Sequence, residues 1–182
     1  MTQPLAPAAL EALIDRLVRP VADWPEPGVT FRDITPLLAD PSALAAVVDG
    51  LVELAEPAGP IDAVLGIEAR GFLFGPPVAL RLGAGFVPVR KAGKLPSASL
   101  STSYELEYGS AVLEMHTDAV ADGSRVLVVD DVLATGGTLR AAADLVRQAG
   151  GLVAGNVVLI ELLALGGRDR LAPIGCSALR TY

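Results

Sequence analysis

Val126-Leu-Val-Val-Asp-Asp-Val-Leu-Ala-Thr-Gly-Gly-Thr138 is the stretch on which the fold turns. Val126 to Val129 is a short continuous apolar run, the pattern of a strand buried on both faces of a parallel sheet. It leads into two carboxylates, Asp130 and Asp131, and then into a loop with two adjacent glycines. From Thr138 onward, Leu139, Ala142, Ala143, Val146 and Ala149 recur at helical spacing and predict a helix with one apolar face. Strand, small-residue loop and helix N-terminus together make an anion site, because free backbone N–H groups and the positive end of the helix dipole converge there. Gly136 and Gly137 let the backbone approach a phosphate closely, and Thr135 and Thr138 add hydroxyl donors.

The two acids call for a different part of the same ligand, since carboxylate and phosphate repel each other. Vicinal sugar hydroxyls, held directly or through a divalent cation, suit Asp130 and Asp131. The stretch has neither the G-x-x-x-x-G-K-[ST] pattern of a P-loop nor the G-x-G-x-x-G of a dinucleotide site. A plainer alternative is a strand, turn and helix in which the acids merely cap the helix.

Bulk properties narrow the field. A length of 182 residues fits one domain, 1–182. Apolar residues make up 52% and aromatics only 4%, so Ala, Val and Leu do the packing, as in a helix-covered parallel sheet. The net charge of −7 argues against nucleic acid or membrane as a partner. An anionic substrate therefore needs a local basic cluster. The single Cys176 forms no intramolecular disulfide and reads as packing, and one histidine gives no Cys/His zinc site. Glu11 and Asp15 precede the first basic residue, Arg16, which is not a signal peptide, and no apolar run reaches membrane-spanning length. A soluble cytoplasmic protein is expected.

Along the chain, residues 7–18 carry an amphipathic helical stripe, and Trp24-Pro-Glu-Pro-Gly28 breaks it. Val29 to Ile34 reads as an edge strand. Thr35-Pro36 and Asp40-Pro41 both read as cap-plus-proline helix starts. Ile61 to Ile67 is a buried strand leading into Glu68-Ala-Arg-Gly-Phe72, and a helix follows to Leu82, with Pro76 and Pro77 placed early in it. Phe86 to Val89 is a strand that ends in Arg90, Lys91 and Lys94. Such a charge run is commonly a solvated loop, but ligands in open parallel sheets sit at the carboxyl ends of strands, where these cations fall. Residues 92–103 show no periodicity and read as a mobile loop. Tyr104–Gly109 and Ser110–His116 alternate like the arms of a hairpin, with His116 at the surface. Val157 to Ile160 is a further buried strand, Gly166–Leu171 a short helix, and Cys176–Thr181 a last strand.

Taken together, Val29-Thr-Phe-Arg-Asp-Ile34, Glu68-Ala-Arg-Gly-Phe-Leu-Phe-Gly75, Val87-Pro-Val-Arg-Lys91, Lys94-Leu-Pro96, Leu106-Glu-Tyr-Gly109 and the opening stretch resemble the adenine phosphoribosyltransferases. These are type I phosphoribosyltransferases, and the opening stretch resembles their motif for phosphoribosyl diphosphate (PRPP). The resemblance runs from about Asp23 to the C-terminus. It implies an α/β fold with a central, mostly parallel sheet flanked by helices, a small N-terminal base-binding hood at about residues 20–40, and a mobile loop.

The implied reaction is adenine plus PRPP giving AMP and diphosphate, a step of purine salvage, with Mg²⁺ arriving through PRPP and water rather than on protein ligands. By the same resemblance Ala134, Thr135, Gly136, Gly137 and Thr138 hold the 5′-phosphate, and Asp130 and Asp131 the ribose hydroxyls. Arg70 meets the diphosphate beside an unusual backbone turn at Glu68-Ala69. Arg90, Lys91 and Lys94 meet it too, some of them from the partner subunit of a homodimer. Phe31 stacks on adenine while backbone groups around Thr30 and Arg32 read its edge. Glu107, next to Tyr108 on the loop, handles the purine proton. Two rivals share the motif: an enzyme of the same fold using orotate, hypoxanthine, guanine or xanthine, and a PRPP-sensing regulator without turnover.

Overall fold

A computed structural model describes residues 5–105 and 110–182. The chain divides into two compact units, Met1–Gly50 and Leu51–Tyr182. The segment expected as a hood lies within the first.

In the first unit, α1 (Pro7–Leu17) starts on a proline and buries Leu10 and Ile14, two positions of the predicted stripe. β1 (Arg19–Ala22) and β2 (Thr30–Asp33) then form an antiparallel ribbon, with Arg19 opposite Asp33 and Val21 opposite Phe31. The Val29–Ile34 piece is thus extended, but it pairs in a separate two-stranded sheet rather than at an edge of the main one. α2 (Thr35–Ala39) and α3 (Pro41–Ala55) follow. Asp40 caps α3 as predicted, its Oδ1 accepting from the N–H groups of Ser42 and Ala43 at 2.9 Å each. The cap of α2 differs from expectation. Ile34 is the cap position and Thr35 the first helical residue; Asp33, one residue earlier, accepts at its Oδ1 from the N–H of Thr35 at 2.9 Å and from its hydroxyl at 2.7 Å.

The second unit carries a seven-stranded sheet built from β3 (Ala63–Ile67), β4 (Gly85–Lys91), β5 (Ser99–Glu105), β6 (Ser110–His116), β7 (Arg125–Leu133), β8 (Leu152–Glu161) and β9 (Ser177–Thr181). Their order is β5-β6-β4-β3-β7-β8-β9. β4, β3, β7, β8 and β9 run parallel; β6 pairs antiparallel with both β4 and β5. Every residue of β3 is buried, as a strand covered on both faces requires. Leu65, Ile67, Val126, Val128 and Val158 share one core with Leu139, Ala142, Leu145 and Val146 of α5 (Gly137–Gln148). The predicted apolar face of α5 is the face it buries.

Two expectations are corrected in this unit. Residues 92–103 are not all loop, for β5 begins at Ser99 and pairs with β6 from Ser99–His116 onward. Its Ser- and Thr-rich sequence hides the alternation in which Leu100 and Tyr104 pack against the core. Pro76 and Pro77 do not sit early in α4 (Gly71–Leu82) but at its sixth and seventh positions, past the first turn, where a proline removes a helical hydrogen bond. Among the described residues no helix is long and apolar enough to cross a membrane.

Candidate active site

β7 does not stop at Val129. It continues through Asp130 and Asp131 to Leu133, paired with β8 as far as Leu133–Glu161, whereas its pairing with β3 ends at Val129–Gly66. The two acids therefore sit on a strand that overhangs its neighbour. Both are buried, 8% and 4% exposed, which sequence alone did not indicate for a pair of carboxylates.

Close backbone approach puts α4 against them. A side chain at Gly71 would bring its Cβ within 2.9 Å of Val129 O and 3.0 Å of Asp130 Oδ1. Because residue 71 is glycine, the helix can begin there, and Arg70 Nε reaches Asp131 Oδ2 at 2.9 Å. Asp130 Oδ1 accepts from the N–H of Asp131 at 2.9 Å. Burial drives the Asp130 carboxyl well above its usual range, and the charge of Asp131 pushes it further. Asp131 is also raised by burial, with Arg70 pulling the other way. Two buried acids thus meet one arginine, and the site favours a ligand that brings hydroxyl donors or positive charge.

From Leu133 the chain turns through Ala134 and Thr135 to Gly136, whose φ of 81° precedes the first residue of α5, Gly137. The first N–H groups of a helix have no partner within it, so they are available to an anion here. The two acids with Ala134, Thr135, Gly136 and Thr138 line one cavity of about 320 Å³, together with Glu68, Ala69, Arg70, Lys91, Tyr104 and Leu139; Gly137 does not line it. The peptide Glu68–Ala69 is cis, at the place where an unusual backbone turn was expected.

The basic segment is brought to the site only in part. Lys91 lines the cavity; Arg90 and Lys94 do not. Arg90 Nη2 lies 3.3 Å from Glu68 Oε1, and its Nη1 donates to Lys94 O at 3.1 Å. The other Glu68 oxygen accepts the N–H of Lys91 at 3.0 Å. Glu68 therefore ties β4 to the turn after β3, and these bonds hold its carboxyl below the usual range, the backbone bond from Lys91 foremost. From sequence, Glu68 is placed only in the turn beside Arg70, and Tyr104 only as a hairpin residue whose period-2 spacing carries no functional signal; both line the cavity.

Of the residues expected to hold adenine, Thr30 is exposed while Phe31 and Arg32 are partly buried, all on β2 of the first unit. Trp24 packs edge-on against Phe31, ring centroids 4.5 Å apart and planes at 67°, a partner that spacing did not reveal. Leu106-Glu-Tyr-Gly109, with Glu107 and Tyr108, lies outside the described residues. Among the described residues no three His, Cys, Asp or Glu side chains group to hold a metal.

The sequence matches the phosphoribosyl transferase domain family over residues 36–177. It is 61% identical over 174 residues to the adenine phosphoribosyltransferase of Thermobifida fusca, an alignment spanning 94% of this chain and 97% of that one. The chain belongs to the adenine phosphoribosyltransferase family. Solved structures of the family agree in fold. The adenine phosphoribosyltransferase of Thermoanaerobacter pseudethanolicus matches with a TM-score of 0.90 and 48% identity, over 95% of this chain and 99% of that one. The Saccharomyces cerevisiae member, crystallised with adenine and an imino-altritol bisphosphate, matches with a TM-score of 0.89 and 39% identity, over 94% of this chain and 99% of that one. The family match begins at residue 36, so Thr30, Phe31 and Arg32 are reached only by the longer alignments.

Proposed function

We propose that this protein transfers the 5-phosphoribosyl group of PRPP to adenine, releasing diphosphate and giving AMP for purine salvage. The observation that carries this reading is the single cavity in which two buried acids, a glycine loop at a helix N-terminus, Arg70 and Lys91 meet. Ala134, Thr135, Gly136, Gly137 and Thr138 take the 5′-phosphate; Asp130 and Asp131 take the ribose hydroxyls. Arg70 and Lys91 face the diphosphate, and Arg90 and Lys94 assist from the same basic segment. Thr30, Phe31 and Arg32 of the first unit read and stack on adenine, as the resemblance of Val29–Ile34 to the family implies.

Displacement at C1′ needs above all a stabilised leaving diphosphate, which fixed cations supply. Mg²⁺ belongs to the substrate in this reading. Asp130 and Asp131 offer too few ligands for a protein-built cage, and a hard cation that keeps its waters and binds phosphate oxygens fits such a site. Neutral adenine must lose an imidazole proton as its nitrogen bonds C1′, and Glu107, with Tyr108 next to it in sequence, accepts or stabilises that proton.

A cytoplasmic homodimer completes the reading. The buried thiol of Cys176, with no second cysteine in the chain, suits a reducing compartment. Leu73 and Leu80, 45% and 83% exposed and two turns apart on α4, offer an apolar stripe to a second copy. The test is diphosphate release from PRPP and Mg²⁺ with adenine, hypoxanthine, guanine, xanthine or orotate. Adenine presents an acceptor at N1 and a donor at N6 where hypoxanthine reverses both, so preference for adenine on the order of 10⁴ is expected. Comparable efficiency with hypoxanthine overturns the base assignment, and no release with any base overturns turnover altogether.

A further inference from the structure

We infer that Gly167 and the Glu161–Arg168 pair are positioning residues that set the phosphate loop from behind. This rests on the reading of Ala134–Thr138 as that loop. The loop is gripped from two sides by the chain that follows β8. At its start, Leu162 N–H donates to Leu133 O at 2.9 Å, continuing the β7–β8 pairing. At its middle, Gly136 lies directly on Gly167. A Cβ on Gly136 would come within 2.4 Å of Gly167 O, and one on Gly167 within 2.2 Å of Ala134 O and 2.8 Å of the Gly136 nitrogen. These are backbone atoms on both sides, so neither residue has room to yield. Both positions are glycine because two backbones touch there.

Something has to hold the Gly167 turn in that place. Gly167 opens a 3₁₀ turn, Gly167–Leu171, and the next residue, Arg168, reaches back to the sheet. Its Nε donates to Glu161 Oε1 at 2.9 Å, its Nη2 to Glu161 Oε2, and its Nη1 to Cys176 O at 2.6 Å. One guanidinium thus joins the end of β8 to the segment entering β9. Glu161 is 3% exposed and stands opposite Leu133, the residue before the loop. Without its arginine it would be a buried bare carboxylate just behind a phosphate site, an arrangement that costs stability and repels the ligand. Further along, Arg140 Nη1 of α5 donates to Arg170 O at 3.3 Å, tying the same turn to the helix that starts at the loop. The pair therefore does two things: it fixes the turn against which the loop is moulded, and it cancels the Glu161 charge beneath it. Neither residue lines the cavity.

The two halves of the substrate separate this role from plain structural support. AMP and PRPP carry a 5′-phosphate; inorganic diphosphate does not. Titration calorimetry on Gly167→Ala, Arg168→Gln and Glu161→Gln, with AMP, with PRPP plus Mg²⁺, and with diphosphate plus Mg²⁺, reads the difference. The expected result is AMP and PRPP weakened about tenfold or more, the loss of one or two well-aimed phosphate bonds, with diphosphate within about twofold. Arg168→Lys, which keeps the charge but loses the planar fork, is expected to fall between parent and Arg168→Gln. Should Gly167→Ala fail to fold, Glu161→Gln decides alone, because it removes the buried charge and leaves no bare carboxylate behind the loop. Equal weakening of all three ligands, or none, overturns the inference. Thr138→Val is the control: if it leaves AMP binding unchanged, the loop assignment itself fails and takes this inference with it. If it weakens AMP while Arg168→Gln is silent, the inference alone is wrong.

Discussion

Two aspartate sites in this chain have their protonation pushed in opposite directions. At the end of β7, burial raises both Asp130 and Asp131, and a single arginine only partly offsets it. On the β1–β2 ribbon, Asp33 is lowered from the ordinary 3.8 to about 2, first by the Thr35 hydroxyl, then by the Thr35 N–H, then by Arg19. Asp33 has all the partners it needs within its own unit. Asp130 and Asp131 share one arginine between two carboxylates, on a strand that is among the most thoroughly buried in the protein. An acid held low by its own partners is a structural part; a buried pair held high in a cavity marks a functional site. The comparison separates holding the fold from holding the substrate, and it can be broken at several points.

The largest effect is expected at Glu107, a further acid assigned neither role. If Asp130 and Asp131 only bind, proton handling falls to Glu107. Glu107→Gln is then expected to lower turnover by about 10² or more with little change in PRPP affinity, while Glu105→Gln stays nearly silent. Equal behaviour of the two variants in steady-state kinetics would return the proton role to another group and blur the division.

A smaller effect is expected at Phe31. Stacking of a base on an aromatic ring contributes about 1–3 kcal/mol, so Phe31→Leu is expected to raise the adenine KM roughly tenfold, leaving diphosphate binding as it was. Trp24→Ala, which removes the ring packed on Phe31, is expected to follow in the same direction less strongly. A change confined to PRPP would reverse the assignment of the two units.

The smallest effect tests the ribbon by pH. A carboxyl whose folded pKa is depressed adds stability that is present above its unfolded value and lost as pH falls through the folded one. For Asp33 that window runs from about 3.8 down to about 2. Asp33→Asn is expected to lower the melting temperature at neutral pH and to flatten its decline through that window. An unchanged melting temperature at neutral pH would make Asp33 a bystander.

The sequence made some of this legible and hid the rest for physical reasons. β7, its loop and α5 were readable because an uninterrupted apolar run, paired glycines and a 3.6-residue stripe each have one natural meaning. β5 was hidden because Ser and Thr fill four of its seven positions, so Leu100 and Tyr104 alternate against a background that looks like loop. β1 is four residues long with a proline inside, and only its pairing with β2 makes it a strand. The acids were visible, but not their burial, which comes from α4 docking at Gly71. The support of the loop by Gly167 was invisible for the same reason: contact between distant backbones leaves no periodic trace.

The central claim is that Asp130 and Asp131 are kept buried, with one arginine between them, because PRPP requires them. A carboxyl raised on folding weakens the fold as pH climbs through its unfolded value toward its folded one, and the whole penalty is present above both. The double variant Asp130→Asn with Asp131→Asn, compared with the parent at pH 7.5 (about neutral, chosen above the ordinary carboxylate range), tests this in one sample pair. Two quantities are measured: the ligand-free melting temperature and the calorimetric affinity for PRPP with Mg²⁺. The expected result is a melting temperature equal to or above the parent's, with PRPP weakened by about 10² or more, each lost charge-assisted bond contributing roughly 1.5–3 kcal/mol. A less stable protein that still binds PRPP like the parent would contradict the account.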